Sequence, residues 1–218
     1  MEQLIKVDER TAPDFTESKQ IPVSPEITLQ PAMTQKEQDL FRCFLRCSKN
    51  YLEFGTGGST VMATANVSNF VISVDSSEVW LAKVAQSCAA ARAGIIPLLV
   101  HADIGPVRAL GYPLDDTFKA KWPQYVSTVW NIPQAAISDL CLIDGRFRVA
   151  CFLSILLHCS PQTIIMFHDF PERKHYHIVR QFADEIATTD SLVAFRRKTD
   201  FRGDLALSVM EEQKFHPA

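Results

Sequence analysis

Glu53-Phe54-Gly55-Thr56-Gly57-Gly58-Ser59-Thr60 is the stretch on which the reading of this chain turns. A short apolar run, Tyr51-Leu52, leads into it, and the next apolar run ends at Asp75, 22 residues beyond Glu53. Glycines at a strand-to-helix junction let bare backbone N–H groups come close to a ligand. An acid at the tip of the following strand can accept two hydrogen bonds from a ribose diol. Glycine-rich turns also occur without ligands. Here the spacing to Asp75 and the alternation of elements around the turn predict a nucleoside-cofactor site.

Outward from that turn, apolar runs at 50–54, 70–75, 95–100, 139–143 and 163–168 predict strands. The segments 58–66, 77–92, 146–159 and 174–187 predict helices. Near-continuous apolar strands separated by helices indicate a parallel sheet covered on both faces. The end of the chain departs from this pattern. Residues 191–197 and 205–211 read as strands joined across Thr199–Asp204, an antiparallel hairpin at the sheet edge.

Upstream, Thr34-x-x-Glu37 forms a capping box, followed by Leu40, Phe41, Phe44 and Leu45 at helical spacing. That helix is expected to cover the entrance to the sheet. Residues 1–33, with Pro13, Pro22, Pro25 and Pro31, read as an extended arm. Such an arm drapes over the domain, joins a homodimer partner or stays mobile. The α/β domain then spans 34–218. Residues 102–135 are an insertion after a strand's C-terminal end, where substrate lids sit. Its Trp122, Tyr125 and Trp130 are expected to pack or to form the lid.

The formal net charge of −3 argues against a nucleic-acid partner, which normally requires a basic surface. No apolar run reaches the roughly 18 residues of a membrane span, and the polar, acidic start is not signal-like. A cytoplasmic protein that meets no membrane is expected. The six cysteines include no C-x-x-C pair, which argues against a zinc site or a disulfide framework. Cys43 and Cys47, which can share a helix face, are expected as buried free thiols.

The five parallel strands, the terminal hairpin and the pattern Glu53-x-Gly55-x-Gly57-x-Ser59 together resemble class I S-adenosylmethionine-dependent methyltransferases. Serine replaces the last glycine of that pattern. The resemblance covers about residues 34–218 and implies a Rossmann-like three-layer sandwich. Its mostly parallel seven-stranded sheet would run in the order 3-2-1-4-5-7-6. In that family's terms Glu53 would hold the methionine amino group and the Gly55–Ser59 loop would pass beneath the methionine and ribose. Asp75 would take the ribose hydroxyls, and Asp103 would sit beside the adenine, with Ile104 packing nearby.

Ile143–Arg148 and Phe167–Phe170, with Arg173 and Tyr176, are similar to bacterial methyltransferase-like proteins of unassigned substrate. The implied reaction is O-methylation of a small polar molecule, with His168 or Asp169 as base and Asp144 orienting the acceptor. Metal-dependent O-methyltransferases keep acids where Asp144 and Asp169 stand, so these two are the candidate ligands of a divalent cation. The Asn-Pro-Pro-Tyr-type signature of N-methylation is absent.

The residues also carry blander readings. Asp144 can cap the following helix. Arg146 and Arg148 point in different directions, and Arg146, nearer the strand tip, is the candidate for an anionic or carboxylate substrate. Arg173 and Tyr176, three apart, share a helix face and either reach the cleft or pin the loop. Two other classes remain open: a nucleoside-binding or regulatory module without catalysis, and a nicotinamide-dependent oxidoreductase. For the latter, Gly55-x-Gly57-x-x-Thr60 is an imperfect dinucleotide fingerprint.

Overall fold

The structure, a computed structural model, describes residues 28–91 and 94–218. Most of the expected arm, including Pro13, Pro22 and Pro25, lies outside the described residues. Seven strands form one sheet: β1 Asn50–Phe54, β2 Phe70–Asp75, β3 Leu98–His101, β4 Leu140–Ile143, β5 Ile164–Phe167, β6 Ala183–Thr189 and β7 Leu192–Arg197. Their order is β3-β2-β1-β4-β5-β7-β6. The first five strands are parallel, and β7 runs antiparallel to both β5 and β6. The helices are α1 Gln35–Arg46, α2 Gly58–Thr64, α3 Glu78–Ala90, α4 Gln124–Ser127, α5 Arg148–His158 and α6 Gly203–Gln213. This is the expected Rossmann-like architecture.

Side chains alternate across a strand with period two, and the buried residues divide accordingly. Tyr51, Leu140, Leu142, Met166, Leu192 and Ala194 face one layer, where Phe41 and Leu45 of α1 cover them. Leu52, Phe54, Cys141, Ile143, Phe167, Val193 and Phe195 face the other, beneath α5. Helix α1 therefore covers a face of the sheet, while Glu37 in its first turn reaches His168 at the carboxyl edge. Its capping box forms as read, with Thr34 N–H donating to Glu37 and Glu37 N–H to Thr34 Oγ1. Cys43 and Cys47 are exposed, not buried, because Phe41 and Leu45 define the inward stripe.

Two expectations for the C-terminal quarter are corrected. The hairpin is 183–189 with 192–197, turning at Asp190-Ser191, not 191–197 with 205–211. The segment expected as helix 174–187 is a 3-10 turn, Lys174–Gln181, followed by edge strand β6. An edge strand carries polar residues such as Asp184 and Glu185, which blunt its open side and make it read as a helix surface. Residues 205–211 lie in α6. Ala206, Val209 and Met210 pack inward at helical spacing, while Leu205 and Leu207 are exposed.

The insertion 102–135 is built from short helical turns, and its Trp122, Tyr125 and Val129 are buried in the core. Trp122 and Tyr125 pack against Phe147, and Trp130 stacks on His158 at 4.3 Å. No described helix is long and apolar enough to cross a membrane.

The tips of β1 and β4 meet at two glycines. A Cβ on Gly55, which has φ 98°, would overlap the Gly145 backbone, and a Cβ on Gly145 would overlap the Tyr125 hydroxyl. Gly55→Ala is expected to lower the unfolding free energy by about 2 kcal/mol or more, from overpacking and left-handed strain together. Urea denaturation checks this, and unchanged stability would contradict the close approach.

Candidate functional site

Strand β1 carries Glu53 to the edge of the sheet, where the chain turns through the glycine loop into α2. Glu53 is fully buried. Its Oε1 accepts from the Ser59 hydroxyl, and its Oε2 accepts from Thr60 Oγ1 at 2.6 Å and Ser73 Oγ at 3.0 Å. Thr60 Oγ1 in turn accepts the Gly57 N–H at 3.0 Å. The acid thus fixes the loop through a hydroxyl relay. Burial pushes the Glu53 carboxyl up to about 8 despite these three donors, and nearby Asp144 adds to the effect. Near neutral pH Glu53 is mostly a neutral acid, and one of these hydroxyl contacts then runs from the carboxyl to its partner.

In front of the loop lies a hollow of about 500 Å³, a size usual for small-ligand sites. Its floor is Gly55–Ser59, one wall is Asp75–Ser77 with Trp80, and the opposite wall is Asp144–Arg146 with Tyr125. Residues 29–33 and 108–111 complete the rim. Asp75 Oδ2 accepts from the Thr56 N–H and hydroxyl, both at 3.2 Å, and Oδ1 from Ser77 N–H at 3.0 Å. Burial raises the Asp75 carboxyl, and these bonds oppose the rise. Trp80 Nε1 donates to Thr56 O at 2.7 Å and so holds the same loop. A Cβ on Gly57 would meet nothing within 4 Å.

At the next strand tips, one guanidinium organises three acid–base groups. Arg148 is 3% exposed. Its Nε donates to Gly145 O at 2.9 Å, Nη1 to His168 O at 2.7 Å and Asp169 Oδ2 at 3.2 Å, and Nη2 to Asp144 O at 3.3 Å. Nη2 also pairs with Asp144 Oδ1 at 3.2 Å. His168 Nδ1 lies 3.1 Å from the same Asp144 oxygen, and Nε2 lies 3.5 Å from Glu37. Burial pushes the His168 imidazole down, but Asp144, Asp169 and Glu37 outweigh it and leave it raised. Asp169 sits at φ 60°, in the left-handed region that aspartate tolerates better than most residues. Arg173 Nη2 donates to Asp169 Oδ2 at 2.8 Å.

The structure sorts the expected site residues. Gly55, Gly57, Ser59, Asp75, Asp144 and Arg146 line the hollow. Glu53 does not, because its carboxyl turns into the protein toward Ser73. Asp103 faces an adjoining depression, where it pairs with Lys121 at 2.6 Å and accepts from Gly105 N–H. Ile104 is core. His168, Asp169, Arg173 and Tyr176 stand behind Asp144. Tyr176 is buried against Phe167, and its hydroxyl accepts from Arg173 at 3.3 Å. That is the loop-pinning alternative.

Thr60, Ser73, Thr56 and Trp80 were not singled out by the sequence for these contacts. Thr60 stood only as a flaw in a dinucleotide fingerprint, yet its hydroxyl joins Glu53 to the loop. The wall at 29–33 also lay unread within the arm. Gln30 and Pro31 occupy the space that a Cβ on Gly58 would need.

No family model and no curated protein matches the chain. The strand order and reversed seventh strand are those of the class I S-adenosylmethionine-dependent methyltransferase fold, and the chain has that fold. Among solved structures it is similar to a methyltransferase-like protein from Silicibacter pomeroyi, with 28% identity and a TM-score of 0.79. That match covers 87% of this chain and 98% of the other. An O-methyltransferase from Bacillus cereus in complex with SAH gives 16% identity, 77% and 84% coverage and a TM-score of 0.54. The O-methyltransferase TomG from Streptomyces achromogenes, in complex with SAM, gives 14%, 77% and 82%, and 0.52.

The raised Glu53 acid predicts a pH-dependent stability. Below about 4.5 it is protonated in folded and unfolded chains alike. Between there and about 8 only the unfolded chain releases the proton, so folding weakens as pH rises, by at most about 1.4 kcal/mol per pH unit. Glu53→Gln removes this dependence. Urea titrations at pH 5 to 8 should show the variant gaining on the native chain with each step up, and a constant difference would refute the raised acid.

Proposed function

We propose that this chain is an S-adenosylmethionine-dependent methyltransferase acting on the hydroxyl of a small polar molecule. The observation that carries the reading is the shared hollow: the glycine loop and Asp75 lie on one side and Asp144 on the other. The fold and the SAM- and SAH-bound structures to which it is similar support the nucleoside assignment. The methyl donor, when bound, supplies an activated methyl group on a sulfonium.

Asp75 retains free lone pairs beyond the bonds from Thr56 and Ser77, and these accept the ribose hydroxyls. Gly57, bare of a side chain, lets the donor lie close to the loop. Glu53 acts from beneath by holding the loop's shape. Asp144 is the acid of its cluster that faces the hollow, and it takes the proton of the acceptor hydroxyl as the new O–CH3 bond forms. A methyl donor held there would give up its methyl group with the C–S electron pair left on sulfur. His168 positions Asp144 through Nδ1 and does not itself line the hollow, so the expected role of direct base passes to Asp144. Orientation of this kind is worth about 7–11 kcal/mol, and a placed base adds about 10²–10⁴-fold.

Asp144, His168 and Asp169 each bring a ligand atom within 4.8 Å of the others, but the trio does not fit a divalent cation. Arg148 already pairs with both carboxylates, and His168 Nδ1 is engaged by Asp144. A cation there would have to share both carboxylates with a buried guanidinium that already neutralises them. We therefore propose a metal-independent transfer.

Calorimetry should show one site for S-adenosylhomocysteine, unaffected by EDTA. Gly57→Val should weaken that site by about 10- to 100-fold, the equivalent of an overpacked contact, with an unchanged melting temperature. Absence of binding to the native chain would overturn the nucleoside assignment. Loss of binding or turnover on chelation would restore the metal.

A further inference from the structure

Arg146 is the one cation of the hollow that is buried without a counter-charge among the described residues. It is 7% exposed, and its Nε and Nη1 have no hydrogen-bond partner. Its backbone N–H donates to the Tyr125 hydroxyl, and its guanidinium stacks 3.9 Å from the centre of the Tyr112 ring. Asp144 is engaged by Arg148 and His168, and Asp75 by Thr56 and Ser77. Arg108 and Lys83 add two further cations to the lining. Arginine cannot shed its proton, and a buried charge without a partner is costly. The Tyr112 ring covers one side of the guanidinium, and Arg146 lines the hollow with two donors still unpartnered.

We propose that Arg146 is the receptor for an oxyanion, in the first instance a carboxylate, bound inside the hollow. This deepens the methyltransferase reading but does not depend on it, since the spare charge exists whatever nucleoside binds. Two sources carry the same chemistry: the methionine carboxylate of the methyl donor, or an acid group on the acceptor.

The test uses Arg146→Met, which keeps the length of the side chain and removes the charge. The melting temperature of the unliganded variant should stay level or rise, because an unpaired buried charge has gone; a merely structural arginine would lower it. Calorimetry then compares S-adenosylhomocysteine, methylthioadenosine (which lacks the carboxylate) and benzoate on native and variant chains. Weakening of S-adenosylhomocysteine by about 10- to 100-fold with methylthioadenosine unchanged assigns the oxyanion to the donor. Unchanged S-adenosylhomocysteine with benzoate binding lost assigns it to the acceptor. Should the native chain bind no nucleoside, the methyltransferase reading fails, while the benzoate comparison on the unliganded chain still decides Arg146. If Arg146→Met does not fold, Arg146→Lys replaces it, with weaker anion binding expected from the loss of the fork. Equal binding of all three probes by native and variant chains, or no benzoate binding alongside unchanged S-adenosylhomocysteine, overturns the proposal.

Discussion

The carboxyl edge of the sheet is held together by Arg148. One planar guanidinium reaches three backbone carbonyls and two carboxylates, and so binds the tips of β4 and β5 to the start of α5. A charge this deeply buried is costly unless its donors find acceptors, and here Nε, Nη1 and Nη2 all do. A lysine would offer the charge without the fork. Because Asp144 is fixed by this contact, the direction in which the hollow presents an acid depends on a residue that never touches the hollow.

Glu53 plays the matching part for the other half of the edge, by different physics. It is buried among hydroxyls, not cations, so it keeps its proton and works as a hydrogen-bonding strut. The two halves meet at Gly55 and Gly145, where no side chain intervenes. The hollow is consequently lined by a neutral, backbone-rich floor and by walls on which the cations outnumber the acids.

Much of this was legible in the sequence. β1 and β2 read correctly to the residue, since buried parallel strands are continuous apolar runs bounded by glycine and an acid. The capping box at Thr34 and Glu37 was equally plain. The hairpin was misplaced because β6, at the edge, carries polar residues, and because Leu205-Ala-Leu207 in α6 alternates like a strand while its burial follows helical spacing. Of the two arginines, Arg146, nearer the strand tip, lines the hollow and Arg148 does not. What spacing does not reveal is rotation about χ angles. Glu53 sits on a strand tip beside the hollow and still turns inward, because Ser59, Thr60 and Ser73 wait for it there.

The position of β7 has a consequence for how the chain is made. β7 lies between β5 and β6, so β5 lacks its second neighbour until Arg197 has been synthesised. During emergence from the ribosome the bare side of Ile164–Phe167 is open to pairing with other nascent chains, the usual hazard of a slow sheet. The tight Asp190-Ser191 turn lets β6 and β7 zip locally, so the gap can be closed in one docking event by a prefabricated pair.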